Sequence, residues 1–219
     1  MLLSKQDVSN MTMGISPLSI EDRLFVESED FRNSCLNRNN SVREIQLEES
    51  YFSNALFLLR LIYESDSNAV RDGFIYPALY SFRHYLELTM KDTLNIRAGR
   101  GKVADVVTNK VHNLNDIWTE FKKIVPDDQE KDIIENLIKE LSLSDPYSFN
   151  FRYTYDIQGN KTVLYIKRNI EEPDLEGDNI DNLDSETFPL LIDNSNLVKM
   201  MLKMYCYFEG INWRENNNQ

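Results

Sequence analysis

An all-α bundle of five or six helices with one appended β-hairpin is the fold this sequence predicts, on three observations. Five stretches repeat their apolar residues every three or four positions, the spacing of a buried helix face. Glycine and proline number only seven and six in 219 residues, too few for a turn-dense all-β chain. One later segment changes to a two-residue alternation around Gly159-Asn160, the pattern of a hairpin.

Residues 1–44 read as an N-terminal arm. Residues 1–18 are polar and without period, a mobile arm or a segment ordered only by its contacts. "SIEDRLFVESEDF" follows as a candidate short helix, before the Asn-rich link "NRNNS". The helical domain is expected over 45–219. Its first helix, from about Val42 to Glu64, sets Tyr51, Ala55, Leu58 and Ile62 beside Phe52, Leu56, Leu59 and Tyr63. So wide an apolar face belongs in the middle of a bundle. "SDSNAVRDG" is a break, and the next helix is expected from roughly Gly73 to Ile96, with Pro77 in its first turn.

"HNLNDIWTEFKKIV" puts Leu114, Ile117, Trp118, Phe121 and Val125 on one helix face that stops at Pro126. Asp127 with Glu130 then forms a capping pair for a helix whose stripe is Ile133, Ile134, Leu137, Ile138 and Leu141. That helix ends before "SDP". The hairpin, about 149–168, pairs 149–156 with 161–168 and is followed by an acidic loop over 171–186. A last helix, about 194–209, uses Val198, Met201, Leu202, Tyr205 and Phe208 and stops at Gly210.

Charge and composition narrow the function. The formal charge is −12, and residues 171–186 alone hold eight acids and no base. Extended duplex DNA binding needs many phosphate contacts and does not fit such a chain. The span from Arg83 to Lys110, with six Lys/Arg against three Asp/Glu, still allows a small local basic pocket. Cys35 and Cys206 lie far apart with no CxxC spacing, so reduced thiols are expected, Cys206 packed in the last helix. No apolar run is long enough to span a bilayer and no secretory signal begins the chain, so a cytoplasmic protein is expected.

The stretch "YPALYSFRHYLELTMK" carries the chemistry. Ile75, Leu79, Phe82, Leu86 and Met90 make one buried stripe, and beside it runs a second row of Tyr76, Tyr80, Arg83, His84, Glu87 and Lys91. Two readings follow. Arg83 and Glu87, four apart, can be a buried pair that bridges helices, with His84 satisfied by a tyrosine or a carbonyl. Alternatively the row is a site in which arginine holds a phosphate and histidine moves a proton near neutral pH. Metal-free RNA cleavage needs little more: a base for the 2′-hydroxyl, an acid for the leaving oxygen and a cation for the phosphorane. His112 is a second proton carrier if its helix returns antiparallel beside the first, or an ordinary helix-start residue. Phosphate-loop, dinucleotide, nucleophile-elbow and metal-spaced Cys/His motifs are absent.

"YPALYSFRHYLELTMK", "HNLNDIW" and "DPYSFNFRYTYD..GN", in this order, resemble a bacterial group of HEPN-like proteins (higher-eukaryote and prokaryote nucleotide-binding domain). The resemblance covers roughly residues 45–168. It implies a helical bundle, self-association through that bundle as a homodimer, or a hetero-complex with a partner, and a setting in antiphage defence or a toxin–antitoxin system. Many such domains are metal-independent ribonucleases, so action on RNA or a nucleotide is implied, with no metal or cofactor. Carried onto this chain, Arg83 is the phosphate ligand, His84 or His112 the acid–base residue and Glu87 the orienter. Arg152 is a second anion contact, with Tyr80 and Lys91 lining the substrate site. The usual catalytic spacing, Arg then four to six residues then His, is absent: Leu88, Thr89 and Met90 occupy the eligible positions. The alternative is a non-catalytic helical interaction or regulatory subunit that assembles with a separate effector.

Overall fold

A computed structural model describes residues 40–98, 112–145, 148–153 and 192–216. They form five helices and no strand: α1 (Asn40–Glu64), α2 (Asn68–Ala98), α3 (Leu114–Phe121), α4 (Gln129–Ser144) and α5 (Asn194–Asn216). Residues 1–39 of the expected N-terminal arm, with the candidate short helix and Cys35, and the acidic loop lie outside the described residues, as does the expected hairpin beyond residue 153; residues 40–44 of the expected arm belong to α1. Within the hairpin's expected first strand, residues 149–153 instead form a turn, closed by Arg152 and Tyr153 N–H bonds to the Phe149 carbonyl at 2.9 Å.

α1 and α2 are the spine. Three residues join them, so they return side by side and antiparallel. Cross-links confirm the direction: Asn54 donates to Ser81 at 2.7 Å, and Thr89, further along α2, donates to Glu48, further back on α1, at 2.6 Å. Phe52, Ala55, Leu58, Leu59 and Ile62 bury against Leu79, Phe82, Leu86 and Met90. Each of these side chains other than Ala55 contributes about 1.5–3 kcal/mol by leaving water. The expected α1 face is narrower than its letters suggest, since Tyr63 is 77% exposed.

α2 begins five residues before the expected Gly73. The Ser67 carbonyl accepts from Val70 and Arg71, and Arg71 reaches back to the Ser65 carbonyl at 2.7 Å, which closes the first turn. Pro77 therefore sits inside the helix, not at its start. It costs the helix the N–H that the Gly73 carbonyl would accept, a penalty of about 3 kcal/mol. Pro77 is exposed, so water can serve that carbonyl.

α3 and α4 close one side. Asn113 caps α3, its side-chain oxygen accepting from Asn115 and Asp116 N–H, and Leu114, Ile117, Trp118 and Phe121 are buried as expected. α3 ends at Phe121 in tight turns well short of Pro126. α4 is capped by Asp128, not by Asp127, which pairs with Lys131 instead. Ile134 and Ile138 face the core, while Ile133 is 59% exposed. Trp118 donates to Glu135 at 3.3 Å across the α3–α4 join, and hydrogen bonds from Lys139, Trp118 and Lys122 push the Glu135 carboxyl down.

α5 lies over the core, with Tyr205 stacked on Phe52 at 4.1 Å and Phe208 against Phe121 at 5.5 Å. Met201, Met204, Tyr207, Phe208 and Ile211 are its buried residues, whereas the expected Leu202 is 41% exposed and Cys206 is exposed, not packed. The helix runs through Gly210 to Asn216, because a methyl-free residue does not stop a helix whose next turn still buries Ile211. A Cβ at 210 would meet nothing within 4 Å. Gly210→Ala is therefore expected to raise unfolding free energy by roughly 0.5–1 kcal/mol, read by urea titration. An unchanged or lowered value would mean that this turn is not held as a helix. Among the described residues no helix is long and apolar enough to cross a membrane.

Candidate functional site

α2 supplies the floor of the site. Residues 80, 83, 84, 87 and 91 share one side of it, because steps of three and four return to nearly the same face. Arg83 and Glu87 lie deepest, with 0% and 2% of their side chains exposed. A guanidinium has five donors in a planar fork, and this one spreads them over three elements. Nε donates to the Asp145 carbonyl at 3.1 Å, Nη1 to Glu87 Oε2 at 3.2 Å, and Nη2 to the His112 carbonyl. The Asp145 carboxylate adds an ion-pair contact, its Oδ2 3.5 Å from Nε. Burial disfavours the Arg83 charge, and the Asp145 and Glu87 carboxylates offset part of that. Arg83 is thus a brace joining α2, the entry to α3 and the end of α4.

Glu87 is the hub. Its Oε1 accepts from Lys91 Nζ at 2.6 Å and lies 3.0 Å from His112 Nδ1, while Oε2 takes Arg83. Burial alone pushes its carboxyl up. The Lys91 hydrogen bond and the Lys91, His112 and Arg83 charges outweigh that and hold it below the ordinary 4.5. An ionised carboxylate only accepts, so His112 Nδ1 carries the hydrogen and Nε2 is left for a second partner. The His112 side chain is 50% exposed. A buried, doubly anchored carboxylate therefore orients a histidine whose far nitrogen can reach solvent.

His84 stands beside this pair, its ring held by the edge of Tyr51 at 4.4 Å and stacked on Tyr80 at 5.8 Å. Among the described residues nothing hydrogen-bonds its ring nitrogens. Burial lowers its affinity for a proton below the ordinary 6.5; Arg83, Lys91 and His112 act the same way, and Glu87 opposes them. The unfolded chain then takes up its proton first, so His84 withdraws stability as pH falls below 6.5 toward the folded value. His84→Gln is expected to flatten the decline in melting temperature just below pH 6.5. An identical profile in the variant would show that His84 is not held neutral.

Arg152 reaches the site from the turn after α4. Asp145 Oδ1 accepts from the Phe149 and Asn150 amides at 2.7 and 3.0 Å, and Asn150 Nδ2 donates to the Ser144 carbonyl at 2.7 Å. Ser148 takes the left-handed φ of 64°, sparsely populated by non-glycine residues, to make the bend. Arg152 Nε donates to the Ser148 carbonyl at 2.5 Å, and its guanidinium lies 5.2 Å from the Tyr80 and Tyr153 ring centres and 5.5 Å from Phe149. Cation–π contact of this kind holds an exposed arginine in place.

Tyr80, His84, Glu87, Lys91, His112 and Arg152 are thus gathered around one stretch of α2. Arg83 lies beneath them with its fork turned to protein acceptors. Tyr51, Asn113 and Asp145 belong to the same assembly and were not marked by sequence. Asn113 had a readable signal, a cap residue just before the apolar period; Tyr51 and Asp145 had none. No group of three or more His, Cys, Asp or Glu placed to hold a metal ion occurs among the described residues. No family model, curated protein or solved structure matches the chain.

Proposed function

We propose that this chain acts on RNA, or on a nucleotide of the same chemistry, as a metal-independent endoribonuclease centred on His112. One observation carries the reading: Glu87, buried and anchored by Arg83 and Lys91, holds His112 Nδ1 at 3.0 Å and leaves Nε2 for proton transfer. A proton carrier oriented by a fixed carboxylate is the arrangement general acid–base catalysis uses. His84, kept neutral by burial, is suited to accept the 2′-hydroxyl proton. The imidazolium form of His112, with hydrogen on both ring nitrogens, then gives its Nε2 proton to the leaving 5′-oxygen, and the exposed Arg152 offers the cation for the phosphate. In this scheme Arg83 positions and does not touch substrate. The HEPN-like motifs support the same reading and extend it to a component of a bacterial antiphage defence or toxin–antitoxin system.

Cleavage through the 2′-hydroxyl has a direct test. The purified protein should cut a labelled single-stranded RNA in the presence of chelator, leaving a 2′,3′-cyclic phosphate, and should leave the all-deoxy strand whole. Cutting of the deoxy strand would refute the mechanism.

A second reading has its own observation. Arg83, the residue the family motif offers to phosphate, is fully buried, while Phe57 and Tyr63 on α1 are 60% and 77% exposed. That combination suits a helical interaction subunit, a homodimer or a partner-bound regulator, whose ionic row is a brace. No cleavage of any RNA, together with a dimer by light scattering, favours this reading.

A further inference from the structure

Asp145 ends α4 and has no solvent exposure, yet its polar atoms serve two other segments. Its carboxylate Oδ1 accepts the Phe149 and Asn150 amides, which sets the turn that carries Arg152. Its other oxygen and its backbone carbonyl meet Arg83 Nε at 3.5 and 3.1 Å. Arg83 in turn donates to the backbone carbonyl of His112 and to Glu87, which holds the His112 ring. One buried carboxylate thus lies two steps from the cation of the site, two from the backbone of its histidine and three from the imidazole.

We infer that Asp145 is a positioning residue, which through the 148–153 turn and through Arg83 holds Arg152 and the His112 imidazole in register. This rests on the reading of His112 and Arg152 as the working groups of the site, but the register itself is a property of the folded protein and can be measured without any substrate. Two oxygens with different duties make the link selective. The oxygen facing the amides needs only to accept, which an amide oxygen also does. The oxygen facing Arg83 takes no hydrogen bond and acts through its charge, 3.5 Å from Nε, so an NH2 there removes that charge and turns N–H toward N–H.

The chain has only two histidines, so ring-nitrogen NMR of the full protein resolves His112 once His84→Gln has assigned the pair. Wild-type His112 is expected to show one tautomer, with hydrogen on Nδ1. In Asp145→Asn its two nitrogen signals should move toward the average of a tautomer mixture, and the Arg152 Nε–H signal should shift. Asn150→Ala, which loosens the turn without touching Arg83, should shift the Arg152 signal alone. His112 signals unchanged in Asp145→Asn would overturn the proposal, and so would an equal His112 change in both variants, which would mean general loosening. RNA cleavage is read separately: a loss of about 10²-fold in Asp145→Asn is the expected cost of misplacing such groups. If the wild type cuts no RNA while the NMR result holds, the nuclease reading fails and the positioning role stands.

Discussion

Arg83→Ala is expected to lower the free energy of unfolding by about 3–5 kcal/mol, a large part of a typical domain's stability. The guanidinium is wholly buried between two carboxylates, Glu87 and Asp145, and also supplies hydrogens to two backbone carbonyls from other segments. Removing it leaves Glu87 with Lys91 and His112 but, among the described residues, leaves Asp145 with no cation in contact. It also opens a cavity where a large side chain had been. Arg83→Lys keeps the charge yet has no fork with which to span acceptors on three elements, so a loss of similar order follows. Urea unfolding of the two variants against the parent is the measurement. A variant that unfolds like the parent but no longer cuts RNA would instead put Arg83 at the ligand.

The reach of Arg83 also marks where letters stop informing. Its pairing with Glu87 is legible, because positions four apart on a helix are neighbours whatever the tertiary structure. Its other acceptors are backbone carbonyls 29 and 62 residues away, and every residue type has such a carbonyl. No side-chain pattern can announce them. Asp145 is hidden for the same reason. In sequence it is the Asp of "SDP", an ordinary helix stop, and its two amide donors and buried arginine come only from the folded turn.

Local chemistry was readable where the signal was itself local. Leu114, Ile117, Trp118 and Phe121 specify the inner face of α3, which is as expected, while the Asn113 cap that sets its start is passed over in a motif read from His112. The start of α2 misled because Gly73 and Pro77 are ordinarily helix punctuation. Here the packing of Val70, 2% exposed, with the Ser67 carbonyl closing the turn, carries the helix past both residues. Gly210 is overridden in the same way by the burial of Ile211. The match of His112 with Glu87 lay between these extremes, since it required only that α3 come back against α2.

His112→Ala is expected to reduce RNA cleavage by about 10²–10⁴-fold, the usual contribution of one positioned acid–base group, with a stability change under about 1 kcal/mol. The small stability cost follows from the geometry. Half of the side chain is in solvent, and the group that Arg83 needs from this residue is its backbone carbonyl, which alanine retains. Glu87→Gln makes the contrast. It keeps the shape but removes the charge that faces Arg83, Lys91 and His112, so melting temperature and cleavage should fall together. Were the ionic row only a brace, His112→Ala would leave every functional readout at the parent level, because its side chain is the one member the brace can lose. An enzyme predicts the opposite at that same residue. A folded His112→Ala protein with parental cleavage would therefore eliminate His112 as the proton carrier, however the rest of the network behaves.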